Sequence, residues 1–244
     1  MEKKSPEPPE EASQSRDSSR DNQTWITAQN ILREKLITED CFAWKLQAGS
    51  KEEEALRYVG GVDISFSKDD PSRACGTLVV LDFHTLQVLY QDFSLVTLQV
   101  PYVPGFLAFR EAPVLLQLLE KMKRSNNPFY PQVLGWPVIL ELRPISQQLG
   151  LERIVRELLG AEENCSEDFI NLVGCSGHIW GVAMRSTQGS IKPIFISIGH
   201  KISLQTAIMI VQMTCKYRVP EPIRQADIRS RDYIRKLEAN AKVK

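Results

Sequence analysis

The run 58–66 (YVGGVDISF) constrains the fold of this 244-residue chain more than any other segment. It is apolar, rich in β-branched residues and too short for a helix, so it predicts a buried strand interrupted by a single aspartate. A carboxylate in the middle of such a strand costs free energy unless a cation, a basic partner or a metal compensates it. Asp63 is therefore a fold marker and a candidate site residue at once. Gly60 and Gly61, immediately before it, permit a close approach by another backbone.

Two further strand-like runs follow, 74–83 (ACGTLVVLDF) and 86–98, separated by the turn His84-Thr85, and the three together predict a meander. After Pro101 the pattern takes on helical period. Phe106, Phe109, Val114, Leu115, Leu118, Leu119 and Met122 share an apolar face, and Pro113 suits the first turn of the main helix. Glu111 would then lie beside a helix N-terminus, where the dipole favours an acidic residue. Another strand begins at 131–134, a short helical pattern occupies 154–159, and strand signals return at 169–173, 179–184 and 193–198. A helix capped by Ser203, with Leu204, Ala207, Ile208, Val211 and Cys215 on one face, and a last helix after Pro222 complete the pattern. This order predicts the α/β class, a mixed sheet flanked by helices, with no internal repeat.

Residues 1–24 offer almost nothing apolar and predict a disordered tail. Ile26, Ile31, Leu32, Leu36 and Ile37 recur at helical spacing and predict one amphipathic helix on the outside of the core. The expected domain is 25–240, with a short tail at 241–244. Hydrophobic residues make up 43% of the chain, enough for one sizeable core, but no run is long enough for a membrane span and the first residues lack the apolar stretch of a secretory signal. A soluble intracellular protein is the expectation. Cys41, Cys75, Cys165, Cys175 and Cys215 are odd in number and form no CxxC or Cys/His cluster, so reduced thiols are expected rather than a disulfide framework or a zinc site. Thirty Lys+Arg balance thirty Asp+Glu, which excludes a globally basic nucleic-acid binder. The distribution is uneven, however: 216–244 holds nine basic residues against four acidic ones, which suits either a polyanionic partner or a solvated helix face.

Four ordered blocks carry a resemblance: VGGVDISF, PYVPGFLAFRE, the run SIGHKISL at 197–204, and YRVPEPIRQAD. Together they resemble the signature blocks of the endonuclease V family, in the form found in animals. The resemblance implies a ribonuclease H-like fold and a Mg²⁺-dependent phosphodiesterase, with Mn²⁺ able to substitute. It also implies inosine-containing RNA or DNA as the partner, RNA being preferred, cut one nucleotide 3′ of the inosine, and a place in the cytoplasm, nucleus or nucleolus. Such chemistry needs clustered carboxylates, because hard divalent cations take oxygen ligands. Asp63 and Glu111 match the family's first two metal ligands, and Asp227 its C-terminal acidic or histidine position, so these three are the implied catalytic residues. Pro101, Tyr102, Val103 and Pro104 match a wedge that enters the strand at the lesion, where an aromatic ring stacks on unpaired bases. On the residues alone, Tyr102 could equally be a core aromatic in a proline-bounded loop. Arg224, in the last block, is the further nucleic-acid contact implied.

The resemblance breaks after Leu134. Where the family's strand continues through a second aspartate into a histidine-bearing turn, this chain reads GWPVILELRP, with Pro137 in the aspartate's place. The pattern resumes near Phe169, so 135–168 is expected to be atypical. Glu141 is displaced from the missing ligand by four residues, about 13 Å along a strand, which a side chain does not span. Loss of one of three carboxylates should weaken metal binding, leaving a catalytically impaired variant that only binds nucleic acid as the alternative to an active nuclease. His84 and His178 read as turn residues, and His200 as shaping the loop before Ser203.

Overall fold

β1 (Tyr58–Phe66), β2 (Arg73–Asp82) and β3 (Val88–Thr97) form the expected antiparallel meander. They belong to a computed structural model that describes residues 11–46, 55–100, 103, 105–135, 169–173, 177–187, 190 and 192–242. The β2–β3 turn closes around Asp82, whose Oδ1 accepts from the backbone N–H of His84 and Thr85 and from the Thr85 hydroxyl, while Leu86 takes a φ of 57°. β4 (Val133–Gly135) pairs with β1 in parallel, so the sheet is mixed and runs β3-β2-β1-β4. A second, antiparallel sheet orders β5 (Phe169–Val173), β6 (Ile179–Met184) and β7 (Ile194–Ser197) in sequence.

Alternation along β1 sends its side chains to two different covers. Val62 and Ile64 join Leu78 and Val80 of β2 beneath α2 (Leu107–Arg124), which contributes Val114, Leu115, Leu118 and Met122. Val59 faces the other way, with Val79 and Leu81, toward α3 (Leu204–Thr214) and α4 (Glu221–Lys242). α3 serves both sheets: Ile210 packs with Val59 and Val79, and Ile208 with Val182, Met184, Ile194 and Ile196. Its start is fixed as expected, Ser203 Oγ accepting from the Thr206 N–H, and Asp40 adds a bond to the Ser203 N–H at 2.7 Å. Leu78 is fully buried between β1 and α2, so Leu78→Ala should lower stability by about 2–5 kcal/mol, read as a fall in the denaturant midpoint at unchanged slope.

Two expectations need correction. Pro113 lies inside α2, because the apolar stripe through Val114 and Leu118 holds the helix against the sheet and outweighs the backbone bond that a proline cannot donate. Glu111 is accordingly not in the first turn of the helix, which carries no acidic residue, but further along it and buried. The chain divides after Ile37 into two units. In the first, α1 (Glu11–Glu34) begins well before Ile26, in a polar stretch where no hydrophobic period could mark it. The helical pattern at 154–159 lies outside the described residues. Among the described residues Cys41, Cys75 and Cys215 are free thiols, and no helix is long and apolar enough to cross a membrane.

Candidate active site

The site begins where α4 comes down on β1. Gly61 makes this approach feasible: a Cβ there would lie 2.1 Å from the Pro222 carbonyl oxygen. Gly60 does the same on the opposite side, for Pro131 and Leu134. Two residues beyond Gly61, Asp63 leaves the strand on the α4 side and meets Ser230. Ser230 is fully buried, and its Oγ lies 3.3 Å from Asp63 Oδ2, 3.0 Å from the Asp227 carbonyl oxygen and 2.6 Å from Ser65 Oγ. Its single proton serves one acceptor at a time, and the Ser65 hydroxyl completes the chain of bonds.

Asp227, one helical turn before Ser230, brings a second carboxylate to this face. Burial first, and then the Asp227 charge, push Asp63 up to about 6, against the opposing pull of the Ser230 hydrogen bond and of Arg231. Arg231 sits 2.5 Å from Asp227 Oδ1 and is largely exposed, so it neutralises the pair only from the solvent side. Among the described residues, Asp63 is thus not compensated by a buried basic residue. Its compensation is a serine and a solvent-side arginine shared with another carboxylate.

The remaining candidates are placed differently. Glu111 is buried in the helix that covers the other face of the sheet. Among the described residues no three His, Cys, Asp or Glu side chains are placed to hold a metal ion. The structure therefore brings Asp63 and Asp227 together without gathering Glu111 into one three-carboxylate cage with them. Val103 is half-buried, while Pro101, Tyr102, Pro104, Pro137 and Glu141 lie outside the described residues. Arg224 is half-buried, its Nε 2.9 Å from Glu221 Oε2 and its guanidinium 4.2 Å above the Tyr217 ring. Ser65, Ser230 and Arg231 went unmarked by sequence reasoning. For Ser230 and Arg231 the available signal was helical spacing, since positions three and four beyond Asp227 share its face, and for Ser65 it was strand alternation, since Ser65 lies two residues beyond Asp63 on β1.

The family model for endonuclease V matches residues 40–134 and 151–228, which include Asp63, Glu111 and Asp227. The chain belongs to the endonuclease V family. Human endonuclease V is 37% identical over 236 residues, covering 87% of this chain and 83% of the human one. The mouse enzyme shows the same identity across 87% of this chain and 69% of its own. The crystal structure of human endonuclease V superposes with a TM-score of 0.74 at 35% identity, covering 88% of this chain and 99% of that one. The fold is accordingly ribonuclease H-like. A Ciona intestinalis endonuclease V, solved in complex with a DNA containing an inosine followed by a ribo-adenosine, superposes equally well at 26% identity, covering 89% of this chain and 98% of that one. The endonuclease V match is interrupted at 135–150 and resumes at 151, earlier than the Phe169 expected from motifs alone, because 151–168 holds no signature residue by which a motif comparison could place it.

Proposed function

We propose that this chain is a divalent-metal-dependent endonuclease that cuts the phosphodiester one nucleotide 3′ of inosine in single-stranded RNA, and secondarily in DNA. The observation that carries this reading is the half-buried Asp63 carboxylate held beside Asp227 within the matched segments of an endonuclease V chain. The donor set fits a hard cation: two carboxylates that repel each other, both partly withdrawn from solvent, would be relieved by a bound positive charge. Asp63 and Asp227 would hold Mg²⁺, or Mn²⁺ in its place, with Glu111 as the further oxygen ligand implied by the family. Such an ion supplies a water nucleophile competent near neutral pH and offsets charge on the phosphate. Ser230 fixes the rotamer of Asp63, and Arg231 holds Asp227 from the solvent side. The segment Pro101 to Pro104 would wedge the strand open at the inosine through Tyr102, and Arg224 would lie at a further part of the nucleic-acid surface.

A second reading is favoured by the interruption at 135–150 and by the lack of a three-ligand group among the described residues. On this reading the chain binds inosine-containing nucleic acid through Tyr102 and the basic face of α4 but cleaves it poorly. The deciding measurement is cleavage of a single-stranded RNA carrying one inosine, by this chain and by a version with the human relative's counterpart of 135–150 inserted. We expect the parent to be slower by tenfold to a hundredfold or more, in line with the cost of a damaged metal shell, and Mn²⁺ to recover more activity than Mg²⁺. Equal rates in Mg²⁺ alone would dismiss the impaired reading. Failure of both proteins to cut would dismiss the nuclease assignment itself.

A further inference from the structure

Between α3 and α4 the chain presents an aromatic ring braced from behind. Tyr217 is 56% exposed, and one side of its ring is occupied by the Arg224 guanidinium at 4.2 Å. Arg224 is itself fixed from below: its Nε lies 2.9 Å from Glu221 Oε2, and Glu221, buried in the first turn of α4, also accepts from Gln225 at 2.7 Å. The backbone beside the ring is tied down as well, the Ser186 hydroxyl donating to the Arg218 carbonyl at 2.6 Å. A tyrosine serving only as surface filler needs none of this support. The ring is flanked by two exposed cations, Lys216 and Arg218. Arg224, which covers the far side of the ring, lies three residues, one helical turn, before Asp227 on α4, so platform and carboxylate are carried by the same helix.

From this arrangement we infer that Tyr217, braced by Arg224 and Glu221, is a stacking platform for one unpaired base of a single-stranded nucleic acid, adjacent to the bond that is cut. The inference rests on the nuclease reading above and adds to it a specific subsite. A base stacks on any aromatic face without regard to its identity, and a guanidinium on the far side strengthens the contact. Lys216 and Arg218 supply the positive charge that neighbouring phosphates require, which a purely apolar partner would not. The platform thus positions the strand, while inosine recognition lies elsewhere.

The test is binding of a fluorescently labelled single-stranded RNA containing one inosine, with Ca²⁺ in place of Mg²⁺, followed by anisotropy. Tyr217→Ala should weaken binding about fivefold to a hundredfold, the range for one stacked base, and Tyr217→Phe should bind like the parent. The same series is repeated on RNAs with an abasic residue at each position in turn. At one position only, the difference between Tyr217→Ala and the parent should vanish, because no base is left to stack. Thermal unfolding of both variants at the parental midpoint separates loss of the platform from loss of the fold. If the parent binds and Tyr217→Ala binds equally well, or the penalty persists at every abasic position, the platform is wrong and the nuclease reading stands. If the parent does not bind the RNA at all, both fall together.

Discussion

Asp63→Asn is expected to abolish cleavage and, at the same time, to make the metal-free protein more stable at neutral pH. The carboxyl is pushed from 3.8 to about 6 in the fold, chiefly by burial and then by Asp227. Well below pH 3.8 the folded and unfolded chains both carry the proton, and Asp63 costs nothing. As the pH rises from 4 to 6 the unfolded chain releases its proton while the folded one retains it, so stability falls with pH across this window. Above 6 the full penalty applies, about 3 kcal/mol for a shift of this size. Asparagine has no charge to desolvate and still accepts from Ser230. Denaturant unfolding in a chelator should therefore show the variant ahead of the parent by up to about 3 kcal/mol at pH 7.5 and level with it near pH 3. Added Mn²⁺ should raise the unfolding temperature of the parent and leave the variant nearly unmoved. A variant no more stable than the parent at neutral pH would mean that Asp63 is compensated by a charge other than Arg231. A variant that cuts inosine RNA at the parental rate would remove Asp63 from the catalytic set.

Gly61→Ala is the other substitution with a large expected effect, through the backbone rather than through charge. The added methyl would lie 2.1 Å from the Pro222 carbonyl oxygen, 2.2 Å from its carbon and 2.8 Å from the Ile223 nitrogen, and none of these atoms can rotate away. The first turn of α4 must move off β1, at a cost of about 1–3 kcal/mol or more. The same helix carries Asp227 and Ser230, so the movement also separates Asp63 from the groups that complete its surroundings. A displacement of about 1 Å at a reacting centre can cost a hundredfold in rate. Gly135, the register partner of Gly61 on β4, provides the control: a Cβ there meets Ile223 Cγ1 at 3.5 Å, an ordinary contact. Gly135→Ala should therefore keep both stability and activity. Equal denaturant midpoints for the two alanine variants would show that α4 does not depend on a bare backbone at Gly61.

Much of the secondary structure was legible because it depends on local pattern. Short apolar runs rich in β-branched residues gave β1 to β3 and β5 to β7, the Ser203 cap gave the start of α3, helical spacing gave α2, and Pro222 marked the start of α4. The pairing of β2 with β3 followed from the short turn at His84-Thr85, and that of β1 with β2 from their closeness in sequence. Legibility failed where a distant contact overrode a local rule. Proline stops an isolated helix, yet Pro113 lies inside α2, because Val114 and Leu118 are held against Gly76, Leu78 and Val80 on the sheet.

The same division runs through the site. Sequence alone established that Asp63 must be compensated and that Gly60 and Gly61 permit a close approach, and it is the resemblance of the ordered blocks that proposes Asp63, Glu111 and Asp227 as carboxylate positions of one family. These follow from the cost of a charge in an apolar strand and from ordered motifs, both readable without coordinates. Only the tertiary structure decided that Asp63 faces α4 while α2 covers the other side of the sheet, that the glycine at 61 accommodates Pro222, and that Ser230 and Arg231 complete the pair. A strand's alternation says that neighbouring side chains go to opposite faces, but it does not say which helix covers which face. That choice is made by contacts between residues more than a hundred positions apart, such as Asp63 and Ser230, whose worth appears only once the chain has closed.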